Sequence, residues 1–332
     1  MEPIEPRPAA ADPSPESPVG LVVHRLRLGY GVQSKLELPA QYGTSLRGAL
    51  VEALRDRFCI LSAQQGRSCG QEPGCQICGL VATTDAAGSR GREIPRPFAL
   101  EPQSGSQRVF QPGDPLQFEL LLFGSAIRYV PYIAVAARGL EWLGRTEGHP
   151  GGRIAFEEIW AVNGIDGAAH RVAEHRSASL RMPAVPITHG QIVARVAEWG
   201  TDTLTIRLRT PLRLVENGNL VRHLGFPTVL RRTIRRLTDL SATYGNGPLS
   251  MDFAPLLAAA ESVQVTTDRT HWVDVESPSS RLQRTTPIGG LLGEISFAGD
   301  LRPFLPWLVW AETMHLGKDT TKGNGWIQII SR

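Results

Sequence analysis

His315-Leu-Gly-Lys-Asp-Thr-Thr-Lys-Gly-Asn-Gly-Trp326 carries the chain from the end of a helical segment, through a Gly/Thr/Lys loop, into the apolar run 326–330. Gly317, Gly323 and Gly325 permit positive φ and leave backbone N–H groups uncovered, while Lys318 and Lys322 add charge, a combination suited to a phosphate. The G-x-x-x-x-G-K-[ST] spacing of a nucleotide-binding loop is absent, and this loop follows a helix instead of opening one. A polar hairpin turn before a last strand is the plain alternative. Lysine is otherwise scarce: of the three in the chain, Lys35, Lys318 and Lys322, two lie here.

Upstream of the loop, residues 203–215 alternate through Leu204, Ile206 and Leu208 as a strand. Residues 226–244 and 251–263 read as helices. Residues 270–275 and 291–297 look like strands joined by a long basic hairpin, and 301–315 is helical though broken by Pro303 and Pro306. The run 326–330 closes the sheet. The first half follows the same logic. Residues 21–28 alternate as a strand, and 44–58 form a helix with Thr44 or Ser45 as N-cap and Leu46, Leu50, Leu54 and Phe58 along one face. Strands at 98–102 and 116–123, a helix at 129–143 and a strand at 153–162 follow. Strand, helix, strand, strand, helix, strand is the ferredoxin-like order. The expected fold is therefore α+β, with two tandem ferredoxin-like domains over 20–165 and 201–332, the second carrying the glycine-rich loop 317–325. Residues 166–200 are expected as a linker and 1–19 as a disordered tail.

At 332 residues, two domains are the natural prior. The longest apolar runs, such as 118–123, are too short to span a bilayer. The Pro/Ala/Glu-rich beginning lacks the basic and apolar regions of a signal peptide, so a cytoplasmic location and no membrane partner are expected. Net charge is only +3, but between Arg207 and Arg236 eight Arg face one acidic residue, Glu216. Charge of that density is what phosphate backbones select for. In Leu230-Arg-Arg-Thr-Ile-Arg-Arg-Leu237 the apolar residues share a face, while Arg231/Arg235 and Arg232/Arg236 are like-charge pairs four apart. Each pair costs a few tenths of a kcal/mol in an isolated helix, a sign that bound phosphates would reverse. Neutralisation by Asp239 and other acids is the competing account.

All four cysteines fall in the window 59–78, as Cys59-x9-Cys69-x5-Cys75-x2-Cys78. Four thiolates can close a tetrahedral structural zinc site, and Cys75-Gln-Ile-Cys78 has knuckle spacing. Four protein ligands leave no open position for water, so the Zn2+ would be structural and not catalytic. Two disulfides are the alternative, against which the missing secretion signal argues.

Several segments together resemble the CRISPR-associated precursor-crRNA-processing endoribonucleases of the RAMP superfamily, in the branch bearing a cysteine insertion. They are Ser45-Leu-Arg-Gly-Ala-Leu50, the four-cysteine loop, Arg96-Pro-Phe-Ala-Leu-Glu-Pro102, Leu122-Phe-Gly-Ser-Ala-Ile127 and Tyr129-Val-Pro-Tyr132. The series continues with residues 204–214, Ser279-Ser-Arg-Leu-Gln283, Pro287-Ile-Gly-Gly-Leu-Leu-Gly293, Gly299-Asp-Leu301 and the glycine loop. Coverage runs from about residue 20 to the end.

The resemblance implies two ferredoxin-like (RRM-like) domains that hold CRISPR repeat RNA. It also implies one metal-independent cut per repeat, leaving a 2′,3′-cyclic phosphate and a 5′-OH, with the crRNA delivered to subunits of an effector complex. Catalysis would fall to His315 as base or acid, Lys318 and Arg47 as stabilisers of the phosphorane, and Tyr42 as orienting group or proton donor. RNA binding would fall to Arg231, Arg232, Arg235 and Arg236, to Arg281 and Arg284 of the basic hairpin, and to Gly317, Lys322, Gly323 and Gly325. This chain departs from the family pattern at Asp319, where relatives often have glycine, and at Lys322, where they often have an aromatic. It also has no histidine in residues 29–58, leaving His24, His223 and His271 as further candidates. A catalytically inactive crRNA-binding subunit of the same superfamily is the alternative function.

Overall fold

The computed structural model describes residues 17–59, 75–81, 94–103, 108–144, 151–279 and 284–331. In Val23–Val32, inward Leu26 and Leu28 alternate with outward Arg25 and Arg27, and this strand lies inside the first sheet. Neighbours run in the order Phe98–Pro102, Pro115–Phe123, Val23–Val32, Gly152–Val162, every pair antiparallel. Helices Gly43–Phe58 and Val130–Arg138 bring Leu46, Leu50, Leu54, Ile133 and Ala137 onto Leu26, Leu28 and Tyr30 to form one core.

The second sheet repeats that arrangement. Its order is Gln264–Asp268, Gly290–Ala298, Thr203–Leu212, Ile327–Ser331, again antiparallel. Helices Phe226–Tyr244 and Leu305–Met314 pack Leu230, Leu237, Leu308 and Trp310 against Ile206, Ile295 and Ile329. The element order expected from the sequence is thus present in both halves. The second core also takes in Leu21, Val23, Ala99, Leu121 and Phe123 of the first half. Burying the Leu, Val and Phe chains among these contributes roughly 1.5–3 kcal/mol each, which holds the two halves together.

Several boundaries differ from the expected ones for local reasons. The helix expected to 143 ends at Arg138, where Gly139 N–H turns back to Ala136 O, and Trp142–Leu143 is a short strand. Pro306 does not break a helix; it lies in the first turn of Leu305–Met314, where a missing N–H needs no partner. Pro303 lies in the preceding 3-10 turn Arg302–Phe304. The helix expected over 251–263 is confined to Ala254–Ala259 with a turn after it.

The stretch expected as a linker holds the strand Ala169–Glu174, added beside Gly152–Val162, and the helix His189–Val196. Thr188 caps that helix reciprocally with Gln191. The basic hairpin pairs Glu276–Ser279 with Arg284–Pro287. Of the expected tail, residues 17–19 are described, and Val19 is buried.

Candidate nucleic-acid interface

The loop after Leu305–Met314 is built on four positive φ angles short of its last glycine: His315 at 60°, Gly317 at 79°, Asp319 at 62° and Gly323 at 84°. Six of its N–H groups are taken up within the structure. Leu316 donates to Gly325 O, Lys318 to Arg213 O, Lys322 and Asn324 to Asp319 O, Gly323 to Thr320 O, and Gly325 to Pro211 O. The glycines serve tight turning and close approach: a Cβ on Gly317 would lie 2.4 Å from Arg213 O. The loop is folded onto itself and onto Thr203–Leu212, leaving its side chains to meet a ligand. The Asp319 carboxylate pairs with Lys322 Nζ at 3.1 Å.

The first half supplies the facing wall. Gly43 opens the helix Gly43–Phe58, and a Cβ there would lie 2.1 Å from Lys322 O, so loop and helix terminus touch backbone to backbone. Arg47, one turn along, and Arg96 line a groove of about 510 Å3 with Arg213, Arg232, Arg235, Gly317, Lys318 and Lys322. The structure therefore brings together Arg47, Lys318, Lys322 and part of the arginine helix. Arg96 and Arg213 were not singled out as binding residues; the basic flanks of the strands that meet the loop were the available signal.

The four arginines of Phe226–Tyr244 separate by face. Arg231 is turned toward acids, with Glu216 at 3.3 Å and Glu261 at 3.5 Å. Arg232 and Arg235 border the groove, and Arg236 contributes part of its lining. Arg236 turns inward: it donates to Met314 O at 3.2 and 3.0 Å and to Thr320 Oγ1 at 3.1 Å, and sits over the Phe123 ring. Burial pushes its guanidinium down to about 10, so it still carries its charge near neutral pH. It satisfies a carbonyl at a helix end that would otherwise lack a partner and fastens the loop. Of the hairpin arginines, Arg281 lies outside the described residues, and Arg284 begins the strand Arg284–Pro287.

His315 and Tyr42 lie beneath the groove rather than in it. The His315 side chain is 0% exposed; its ring stacks beside Trp326 at 6.5 Å, and Nε2 is 3.5 Å from Glu101 Oε2. Glu101 is paired with Arg25, which also binds Glu119. Burial lowers the His315 pKa below the usual histidine value, against the pull of Glu101, so the neutral ring is favoured. Tyr42 donates its hydroxyl to Gln103 O at 3.3 Å, and burial pushes its pKa up to about 12. His24 is buried as well, with burial lowering it to about 4, while His223 and His271 are exposed.

A second cavity of about 380 Å3 is lined by residues of both halves, among them Arg25, Arg195, Arg207, Arg209, Glu312 and Trp326. Burial pushes Glu312 up to about 7, against the pull of Arg195.

Among the described residues, no three His, Cys, Asp or Glu side chains are grouped to hold a metal ion. Cys59, Cys75 and Cys78 are described and lie by the first core, but do not form such a group by themselves; Cys69 lies outside the described residues. Among the described residues, no helix is long and apolar enough to cross a membrane.

Comparison with known proteins adds three findings. Residues 206–327 match the family model described as CRISPR-associated endoribonuclease Cas6, and residues 21–185 match a model described as an N-terminal domain. No curated protein matches. Among solved structures, the chain is similar to a partial Cas6-RT-Cas1–Cas2 complex at 12% identity and TM-score 0.60, covering 95% of this chain and 47% of that one. It is similar to a Cas6 product complex at 13% identity and TM-score 0.54, covering 93% and 100%. The match to Thermus thermophilus Cas6 has 13% identity and TM-score 0.52, covering 93% and 99%. At such identities the likeness establishes the fold: mixed α/β with antiparallel sheets. The chain spans about half the length, 47%, of the first of these structures.

Proposed function

We propose that this chain, whose residues 206–327 match the family model described as CRISPR-associated endoribonuclease Cas6, belongs to that family, binds CRISPR repeat RNA in the arginine- and lysine-lined groove and cuts it there. The observation that carries this reading is the meeting of Arg47, Arg232, Arg235 and Lys318 across two halves of the molecule in one groove. Both sheets are read as ferredoxin-like units, and their shared strand order supports that reading.

In the proposed reaction no metal takes part. A base removes the ribose 2′-OH proton, the 2′-oxygen attacks the adjacent phosphorus, and the P–O5′ bond breaks. An acid returns a proton to the 5′-oxygen, leaving a 2′,3′-cyclic phosphate and a 5′-OH. Lys318 and Arg47 stabilise the extra charge of the phosphorane. The proton transfers are assigned to His315 and Tyr42, and because both lie under the loop, the assignment requires the loop to lift when RNA binds. Product crRNA is then held for an effector complex. A structural zinc on Cys59, Cys69, Cys75 and Cys78 rests on their spacing alone, and metal analysis of protein purified without chelator tests it, with one zinc per chain expected.

A second reading is favoured by one observation, the complete burial of His315: the chain binds crRNA without cutting it. Incubation with labelled repeat RNA in EDTA separates the two. A single cut with a cyclic-phosphate end, lost in His315→Ala, supports the nuclease; binding with no cut supports the second reading. Absence of any affinity at low salt would sink both.

A further inference from the structure

Beside the groove, Asn217 and Gly218 take φ of 50° and 82°, the paired left-handed turn that Asn-Gly favours between two strands. Val215–Glu216 pairs with Asn219–Leu220, and Val221 N–H donates to Leu214 O. Continued by one residue, that register sets Arg213 opposite Arg222. Like charges facing each other across paired strands oppose folding. Here both lie by one indole: the Arg222 guanidinium is 3.5 Å from the Trp272 ring centroid and that of Arg213 is 5.9 Å away.

Trp272 is held in turn, its Nε1 donating to Asp274 Oδ1 at 2.9 Å. Arg213 has a second engagement, donating to Gly289 O at 2.9 Å. Arg222 has none: it is exposed, and among the described residues no carboxylate or hydrogen-bond acceptor partners it. Its neighbour across the hairpin, Arg213, lines the groove itself and accepts from Lys318 N–H at 2.9 Å.

We propose that Arg222, laid flat on Trp272, anchors a phosphate of the RNA strand beside the glycine-loop groove. The inference rests on the RNA-binding reading above. Stacking fixes the plane of the guanidinium, so its edge presents a fork of donors at little further entropic cost, the arrangement that suits bidentate phosphate contact. The indole face is already occupied by the guanidinium and is closed to a stacked base. A bound phosphate also relieves the opposition between Arg213 and Arg222, neither of which forms an ion pair with a carboxylate among the described residues. Arg222 is a positioning residue for the strand and touches none of the reacting atoms.

The test uses the full chain and measures repeat-RNA affinity across a salt series for the parent, Arg222→Ala, Arg222→Lys and Trp272→Phe. Loss of one phosphate contact lowers the slope of log affinity against log salt by about 0.7–0.9. Arg222→Ala should show that drop and bind several-fold more weakly at low salt, with an unchanged melting temperature. Arg222→Lys should restore the slope and only part of the affinity, because an ammonium does not form the fork, and Trp272→Phe should keep both. Parent affinity together with an unchanged slope in Arg222→Ala overturns this inference and leaves the RNA reading intact; a parent without affinity overturns both.

Discussion

Replacing Arg236 separates a fastening role from a ligand role. The guanidinium donates to Met314 O and Thr320 Oγ1 from a partly buried position. Hydrogen bonds from a charged group contribute about 1.5–3 kcal/mol apiece, giving roughly 3–6 kcal/mol for the two acceptors. Removing the buried charge gives back part of its desolvation penalty, so Arg236→Ala should destabilise the protein by about 3 kcal/mol. Arg236→Met, which fills the space but leaves Met314 O unpartnered, should lose less. Urea unfolding followed by tryptophan fluorescence measures this directly, since Trp307 and Trp310 are buried in the helix that ends at Met314. The salt slope of RNA binding, measured at a temperature where the variant is folded, should match the parent. A loss below 1 kcal/mol together with a slope reduced by nearly one unit would show that Arg236 reaches RNA, and the structural account would be wrong.

Three further outcomes follow from the geometry. Gly43→Ala drives a Cβ into Lys322 O and should cost about 1–3 kcal/mol and weaken RNA binding, whereas Gly48→Ala on the same helix meets nothing within 4 Å and should be neutral or stabilising; equal melting temperatures for the two variants would refute the contact. Glu312 binds its proton more tightly folded than unfolded, so its contribution to stability is full below pH 4.5 and is lost as pH rises through about 7; Glu312→Gln should therefore gain stability over the parent at pH 8 relative to pH 5, and a pH-independent difference would count against it. Arg231→Ala should leave the salt slope of RNA binding nearly unchanged, because Glu216 and Glu261 already face it, while Arg232→Ala and Arg235→Ala should each lower it; identical slopes for all three would contradict the division by face.

The strands could be read because each exposes one face and buries the other, so Leu204, Ile206 and Leu208 announce themselves by alternation. Their order across each sheet is a long-range property with no local sign. The arginine helix was legible as a helix and as a charge cluster. A repeat of four residues does not say which guanidinium points inward, and only the position of Met314 O decides that for Arg236. The loop glycines were legible as turning points; how many of the loop's N–H groups stay open was not, because carbonyls from Pro211 and Arg213 take two that the sequence leaves unassigned. Asn217-Gly218 was a hairpin signal in plain view, and reading it would have placed Arg213 and Arg222 together. The burial of His315 depends on Trp326, Glu101 and Arg25 converging from three strands or strand ends, and nothing near residue 315 foretells it.

The backbone seam between Gly43 and Lys322 has a consequence for the order of events in synthesis. A ribosome delivers Arg47 some 270 residues before Lys318, so the early half carries only one bank of the channel. The groove takes shape once the glycine loop docks on the helix that Gly43 opens, and whatever needs both banks is held by the two halves together and by neither alone.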